Sequence, residues 1–493
     1  MDIMCIGGEA MDETVIDDQL GSVQWPTIQA LSEKLAMGSI SSVELITHYL
    51  KQIAANDKQG QQINAILEVN PDVFFIAEAL DAKRATQGAL SSFHGIPVLL
   101  KDNIDTGDNM HTSAGSLALK DNYARRDAFL VSKLRAAGAI VLGKANLTEW
   151  ANFMAEDMPN GFSSRGGQVL NYYGAGVFDV GGSSSGSAAG VAAGFAPAAV
   201  GTETSGSILS PASANHMVGI KPTVGLISRS GIIPIAHSQD TAGPIAQTVW
   251  DAALLLCIMA GPDAHDPATL HNRVPGHLDY TRYLTARSLS GIRLGVPGGA
   301  YLEAVRSDKL TVFHQALNVL RRLGAEVVEP IVLYAFDDMD MTVLKHEFKV
   351  GVNAYLHRHH APNQVKNLTD VIAFNNQHEK SALTYGQSVL IEANETDGTL
   401  TSPRYIQARL EDIRLSRAQG IDKIMEAHQL NALLFIGAAG SEIAAKAGYP
   451  SISVPVGFTP SGEPVGLTFT GKAFSESLLL SYAYALEQAI VTM

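Results

Sequence analysis

Hydrophobic positions along the chain follow two periods. Over 26–56 (PTIQALSEKLAMGSISSVELITHYLKQIAAN) apolar residues recur every three or four positions. That spacing predicts helices, with Ser41 or Ser42 capping the second. GIPVLLKD (95–102) is instead a short continuous apolar run between Gly-Ile-Pro and a charge pair, which predicts a buried strand ending near Lys101. DAFLVSKLRAAGAIVLGKAN (127–146) reads as helix, glycine, strand, and the alternation returns at 185–201 and at 310–328, where a helix leads into GAEVVEP. GIRLGVPGG (291–299) and ALLFIGAA (432–439) predict further buried strands. Residues 335–430 are more polar and helical in pattern. There is no tandem repeat, only Pro/Gly-rich joints near 261–276 and 295–300. The pattern predicts an α/β fold: an extension over 1–25, then one large domain over 26–493, a mixed twisted sheet covered by helices on both faces.

Composition narrows the partners. The 493 residues are 46% hydrophobic and carry a net charge of −14, which argues against nucleic acid or an anionic membrane as the main partner. A small or neutral ligand fits better. Cys5 and Cys257 are too few for a disulfide framework or a cysteine metal site. The first basic residue is Lys34, so the N-terminal stretch lacks the basic region of a signal peptide. The longest low-charge run, about 181–202, is made of Gly, Ala and Ser and does not suit a membrane span. The expectation is a cytoplasmic chain; a periplasmic or secreted one would need a signal removed ahead of residue 1. Monomer and homodimer both stay open.

Candidate chemistry concentrates in GGSSSGSAAG (181–190). A phosphate cradle would need G-K-[ST] or G-x-G-x-x-G, and neither is present. The stretch matches G-x-S-x-G centred on Ser184, but a nucleophile elbow needs a strand before it and a later acid and histidine. YYGAGVFDVGG is a poor strand, and no histidine has a catalytic context. A plain Gly/Ser helix cap explains one or two serines and leaves a second cluster, GTETSGSILSPA (201–212), unexplained. Between Ser183 and Ser207, a helix of about a dozen residues advances ~18 Å and a strand of about six returns ~20 Å. The two serines can therefore end side by side, among free backbone amides. Lys101, at the end of a buried strand, is a candidate base, because desolvation favours neutral lysine; a solvated strand-end lysine is the plainer alternative. HRHH (357–360) lacks the H-E-x-x-H spacing of a zinc site and reads as a helix end. Asp240 and Glu149 read as turn-orienting groups.

The segment 181–231 resembles the amidase signature family, hydrolases of amide carbon–nitrogen bonds. So do GIPVLLKDNIDT (95–106), SAGSLAL (113–119), GAIVLGKANLTEW (138–150), SQDTAGP (238–244) and AGYPSISVPVGF (447–458), in that order over nearly the whole chain. SQDTAGP and GTETSGSILSPA look most like bacterial peptide amidases, which remove the amide from C-terminally amidated peptides. The resemblance implies the amidase signature fold, with a signature core over about 90–250 and a helical substrate-pocket region over about 335–430. It also implies no cofactor or metal, and a small-molecule or peptide amide as substrate. It maps a Ser–cis-Ser–Lys triad onto Ser207 as nucleophile, Ser183 as relay after a cis Gly182–Ser183 peptide, and Lys101 as base. Thr204, Ser205, Gly206 and Ser207 would supply the oxyanion-hole amides, and Ser184 a hydrogen bond near Lys101. Two positions depart from the family. Ser205 stands where Gly, or Asp in peptide amidases, is usual; Leu209 stands where many members carry an arginine that can bind a carboxylate. Leu209 thus favours an uncharged acyl group, against a malonamidase-like role or the glutaminase-type subunit of a tRNA amidotransferase. The alternatives are a broader acylamide or aryl-amide hydrolase, an acyltransferase, or an amidotransferase subunit.

Overall fold

The structure, a computed structural model, describes residues 25–271, 279–285, 287–335, 340–359 and 365–491; nearly all of the expected extension, including Cys5, lies outside them. The strands among the described residues are β1 (Ile66–Val69), β2 (Pro97–Lys101), β3 (Ile140–Ala145), a small hairpin of β4 (Phe162–Ser163) and β5 (Gly167–Gln168), β6 (Ala198–Glu203), β7 (Val218–Lys221), β8 (Thr241–Ala246), β9 (Arg293–Pro297), β10 (Glu326–Ile331), β11 (Ala432–Ile436), β12 (Ser451–Phe458) and β13 (Pro464–Thr470), of which β2, β3, β6, β9, β10 and β11 fall on the predicted runs. All except β4 and β5 join one eleven-stranded sheet in the order β1-β3-β2-β6-β8-β7-β12-β13-β11-β9-β10. The pairs β3–β2–β6 and β11–β9–β10 are parallel and the rest antiparallel. The sheet is therefore mixed, as expected.

The N-terminal helical stretch is two helices, Ile28–Ala36 and Ser42–Asn56. Ser41 caps the second by a reciprocal capping box with Glu44. Between β3 and β6 runs the helix Ser185–Ala192, every residue of which is buried. It has eight residues, not the dozen expected, so the turn after it makes up part of the outward path. Its composition now has a packing reason. A Cβ on Gly186 would come within 2.4 Å of the Asn146 carbonyl oxygen, and one on Gly190 within 3.0 Å of Leu99 Cδ1. Only small residues let this helix lie so close to β2 and β3.

Residues 340–430 form the helices Thr342–His359, Leu368–Gln377, Ser388–Asn394 and Pro403–Ile413, with shorter turns between them. Their apolar side chains make a second core around Phe348 and Val352, packed on Trp150, Phe153, Ile233 and Ile235.

Candidate active site

β2 and β6 run parallel, with Leu100 opposite Val200, so their carboxyl ends meet on one side of the sheet. Ligand sites of open α/β sheets lie at such ends. Lys101 closes β2 and is fully buried. Its Nζ lies 2.7 Å from Ser183 Oγ, 2.9 Å from Thr202 Oγ1 and 3.2 Å from the Thr202 carbonyl oxygen. Burial pulls its pKa down to about 7, against the opposing pull of Glu203 and Asp240. A neutral amine has two N–H groups and one lone pair. Thr202 accepts both N–H groups, which leaves the lone pair facing the Ser183 hydroxyl. This arrangement allows a neutral Lys101 to accept a proton from Ser183.

Ser183 follows a cis peptide with Gly182, the form its family resemblance implies. Ser184 is buried too, and its hydroxyl donates to the Thr202 carbonyl (3.1 Å) while accepting from the Thr202 amide (3.2 Å). It therefore acts on Lys101 through Thr202, and a hydroxyl locked this way on a strand is no elbow nucleophile. Ser185 begins the helix and donates to the Gly181 carbonyl at 2.6 Å.

Ser207 is brought in by backbone. Its carbonyl accepts from the Ser184 amide at 3.1 Å, and the residue as a whole is 7% exposed. The Ser207 hydroxyl makes no hydrogen bond among the described residues. Thr204, Ser205, Gly206 and Ser207 form the turn between β6 and the helix Leu209–Ala214. Gly206 has φ +80°, the left-handed conformation that glycine adopts without penalty. Among the described residues the amides of Ser205 and Ser207 donate to no protein group. The Glu203 carboxylate, at the end of β6, accepts instead from the next two amides, Ile208 (2.6 Å) and Leu209 (3.0 Å). It caps the helix and also draws on the Gly206 amide, which leaves the Ser205 and Ser207 N–H groups for a ligand.

Sequence reasoning missed three of these groups. Thr202 and Glu203 stand inside GTETSGS, a stretch whose serines and glycines carry the visible signal. Asn103, two residues after Lys101, donates to Thr202 Oγ1 at 3.0 Å. Asp240 and Glu149 do orient turns: Asp240 accepts from the amides of Ile235 and Ala236 (both 2.9 Å) and from the Thr204 hydroxyl (2.5 Å). Glu149 accepts from the Ser164 amide at 2.7 Å. His357 and Arg358 lie on the helix Thr342–His359, and His360 lies outside the described residues. Among the described residues, no three metal-ligating side chains come together, and no helix is long and apolar enough to cross a membrane.

Two cavities lie beside β6 and the helix Leu209–Ala214. One, about 20 Å³, is lined by Asn103, Thr202, Glu203, Thr204 and Asp240 with Ile233 and Ile235. The other, about 350 Å³, is lined by Gly181, Ser210 and Ala214 on one side and Ala438, Ala439 and Glu463 on the other. Leu209 is fully buried and lines neither. The helical region 340–430, expected to supply pocket walls, lines neither as well; it approaches through Glu347, which accepts from the Ser238 amide at 2.9 Å.

Comparison with known proteins agrees with this architecture. Residues 44–435 match the family model described as Amidase. A protein described as a probable amidase from Arabidopsis thaliana is 38% identical, over 95% of this chain and 90% of its own. One subunit of the glutamyl-tRNA(Gln) amidotransferase of Ralstonia pickettii is 32% identical over 94% and 97%. Among solved structures, the native peptide amidase of Stenotrophomonas maltophilia superposes with TM-score 0.89 at 45% identity, covering 94% of this chain and 97% of that one. An amidase family protein of Bacillus anthracis gives 0.90 at 38%, covering 95% and 91%. With a fold, a family model and full-length relatives all in accord, this chain belongs to the amidase signature family and is an amidase.

Proposed function

We propose that the protein hydrolyses primary amides, C-terminal peptide amides foremost, to acid and ammonia through an acyl-enzyme on Ser207. The observation that carries this reading is Lys101: buried, with its N–H groups engaged by Thr202 and its Nζ 2.7 Å from Ser183 Oγ. The 45% identity to a peptide amidase supports the choice of substrate.

In the first step Ser207 Oγ bonds to the amide carbon, its proton passes to Ser183 Oγ, and the Ser183 proton passes to Lys101 Nζ. The amides of the 204–207 turn stabilise the oxyanion, an interaction made only as charge develops. Collapse breaks the carbon–nitrogen bond, and the proton returns from Lys101 through Ser183 to the departing ammonia. Water then bonds to the acyl carbon and its proton passes through Ser183 to Lys101; collapse breaks the ester bond to Ser207 Oγ, which takes that proton back along the same path, and the acid leaves. A lysine with pKa about 7 suits both directions of this transfer near neutral pH.

Ammonia release from a panel of peptide amides, with simple acyl and aryl amides beside them, tests the proposal. Turnover of peptide amides by the wild type and none by Ser207→Ala is the expected result. Release from aryl amides alone would shift the reading to a general acylamide hydrolase. Full activity in Ser207→Ala would overturn the nucleophile assignment.

A further inference from the structure

The larger cavity carries a charge pattern that separates one class of substrate from another. It belongs to the nucleophile's side of the fold. The Ser210 amide donates to the Gly206 carbonyl at 2.7 Å, so helical geometry begins at Gly206. Positions 207, 210 and 214 then share one helical face, and Ser210 and Ala214 line the cavity. On the relay's side the lining residue is Gly181, which packs directly on this helix: a Cβ there would sit 2.7 Å from Pro211 Cα.

Four charged residues line the same space: Asp179, Arg306, Lys309 and Glu463. Both cations are already engaged. Arg306 reaches Glu463 at 2.7 Å and Asp308 at 2.5 Å, and Lys309 reaches Glu463 at 2.5 Å. Asp179 has no ion-pair partner among the described residues. It accepts from the Gly181 amide at 2.8 Å and from Asn160 Nδ2 at 3.0 and 3.2 Å, and is otherwise exposed. Glu463 and Asp308, the latter outside the lining, already engage both cations, so Asp179, three positions before Gly182, is the charged lining residue with no ion-pair partner among the described residues. The chain's net charge of −14 acts in the same direction.

We propose that Asp179 is a specificity residue that selects amides carrying a cationic group, an ammonium or guanidinium, on the acyl side of the scissile bond. This rests on the amidase reading above and extends it to the charge of the substrate.

The test compares kcat/KM for Nα-acetyl-lysine amide and Nα-acetyl-norleucine amide, which differ by one charged terminal group, by ammonia release. An exposed ion pair changes such a ratio by about two- to fivefold, so the wild type is expected to prefer the lysine amide by that factor. Asp179→Asn keeps an acceptor for the Gly181 amide and is expected to bring the ratio to about one. Should that variant fold poorly, the wild-type ratio is followed as salt rises to ~1 M, where the screening length is roughly 3 Å; it should fall toward one. A wild-type ratio at or below one, or a ratio indifferent to both salt and Asp179→Asn, overturns the inference while leaving the amidase reading intact. No ammonia from either substrate or from the wider amide panel would overturn both.

Discussion

Two buried lysines sit on neighbouring strands, and only one, Lys101, meets the hydroxyl of Ser183. Lys101 pairs across to Ala145 and Lys144 to Leu100, one step out of line. Successive residues of a strand face opposite sides, so the two amines point to opposite faces of the sheet. Burial lowers the pKa of both. Their company differs. Lys144 donates to the Ile104 carbonyl (2.5 Å) and Thr112 Oγ1 (2.9 Å), with Asp102 and Asp105 near enough to favour its charged form. Lys101 meets two hydroxyls, those of Ser183 and Thr202, besides the Thr202 carbonyl, and Glu203 and Asp240 likewise favour its charged form. Burial desolvates an amine; its partners decide whether it serves as a structural cation or a proton acceptor.

The largest expected effects are on turnover. Ser207→Ala and Lys101→Met should each lower kcat/KM by ~10³-fold or more, the scale of losing a nucleophile or its base, while Lys144→Met keeps measurable activity per folded molecule. Equal losses from the two lysine variants would break the distinction.

Stability should separate them less. Each variant strips a buried amine from its acceptors, the Ile104 carbonyl and Thr112 hydroxyl for Lys144, the Thr202 carbonyl and hydroxyl for Lys101, and each is expected to cost ~1–3 kcal/mol in denaturant unfolding. The sign with pH follows. Because the folded pKa of Lys101 is depressed to about 7, the unfolded chain holds the extra proton from there up to the ordinary lysine pKa. Its contribution therefore stabilises as pH rises through that window. Lys101→Met should lose that part of the rise.

A finer probe is the acidic limb of kcat/KM. The proposed mechanism requires neutral Lys101, so the rate should climb as pH passes about 7. Thr202→Val removes one of the two acceptors that aim the lysine, and should cost ~10–100-fold and move the limb. An unmoved limb would make Thr202 a packing residue only. Smallest is Tyr355→Phe. Tyr355, from the helical region, donates to Asp105 Oδ1 at 2.7 Å, and its loss should cost ~1–3 kcal/mol in unfolding with the pH profile unchanged.

Periodicity makes the strand ending on Lys101 legible, and the small-residue tract correctly announces a buried helix, since a helix packed this tightly admits little but Gly, Ala and Ser. The outward path between the serines is shorter in helix than the tract suggests, because the helix stops at Ala192 rather than filling it. The larger cavity has no trace in the sequence because its walls come from positions near 180, 210, 305, 438 and 464, which no local motif joins.

Local pattern, read alone, determined the layers of the fold, the end of β2 and the two Gly/Ser turns, because these depend on residues close in sequence. Tertiary structure decided which hydroxyl meets the lysine. Ser183, Ser184 and Ser185 are chemically identical in the chain, yet one faces Lys101, one is tied to Thr202 and one to the Gly181 carbonyl. Lys101 lies 82 residues from Ser183 and 101 from Thr202. Hydrogen-bond partners so far apart in sequence are assigned only when the strands that carry them are packed side by side.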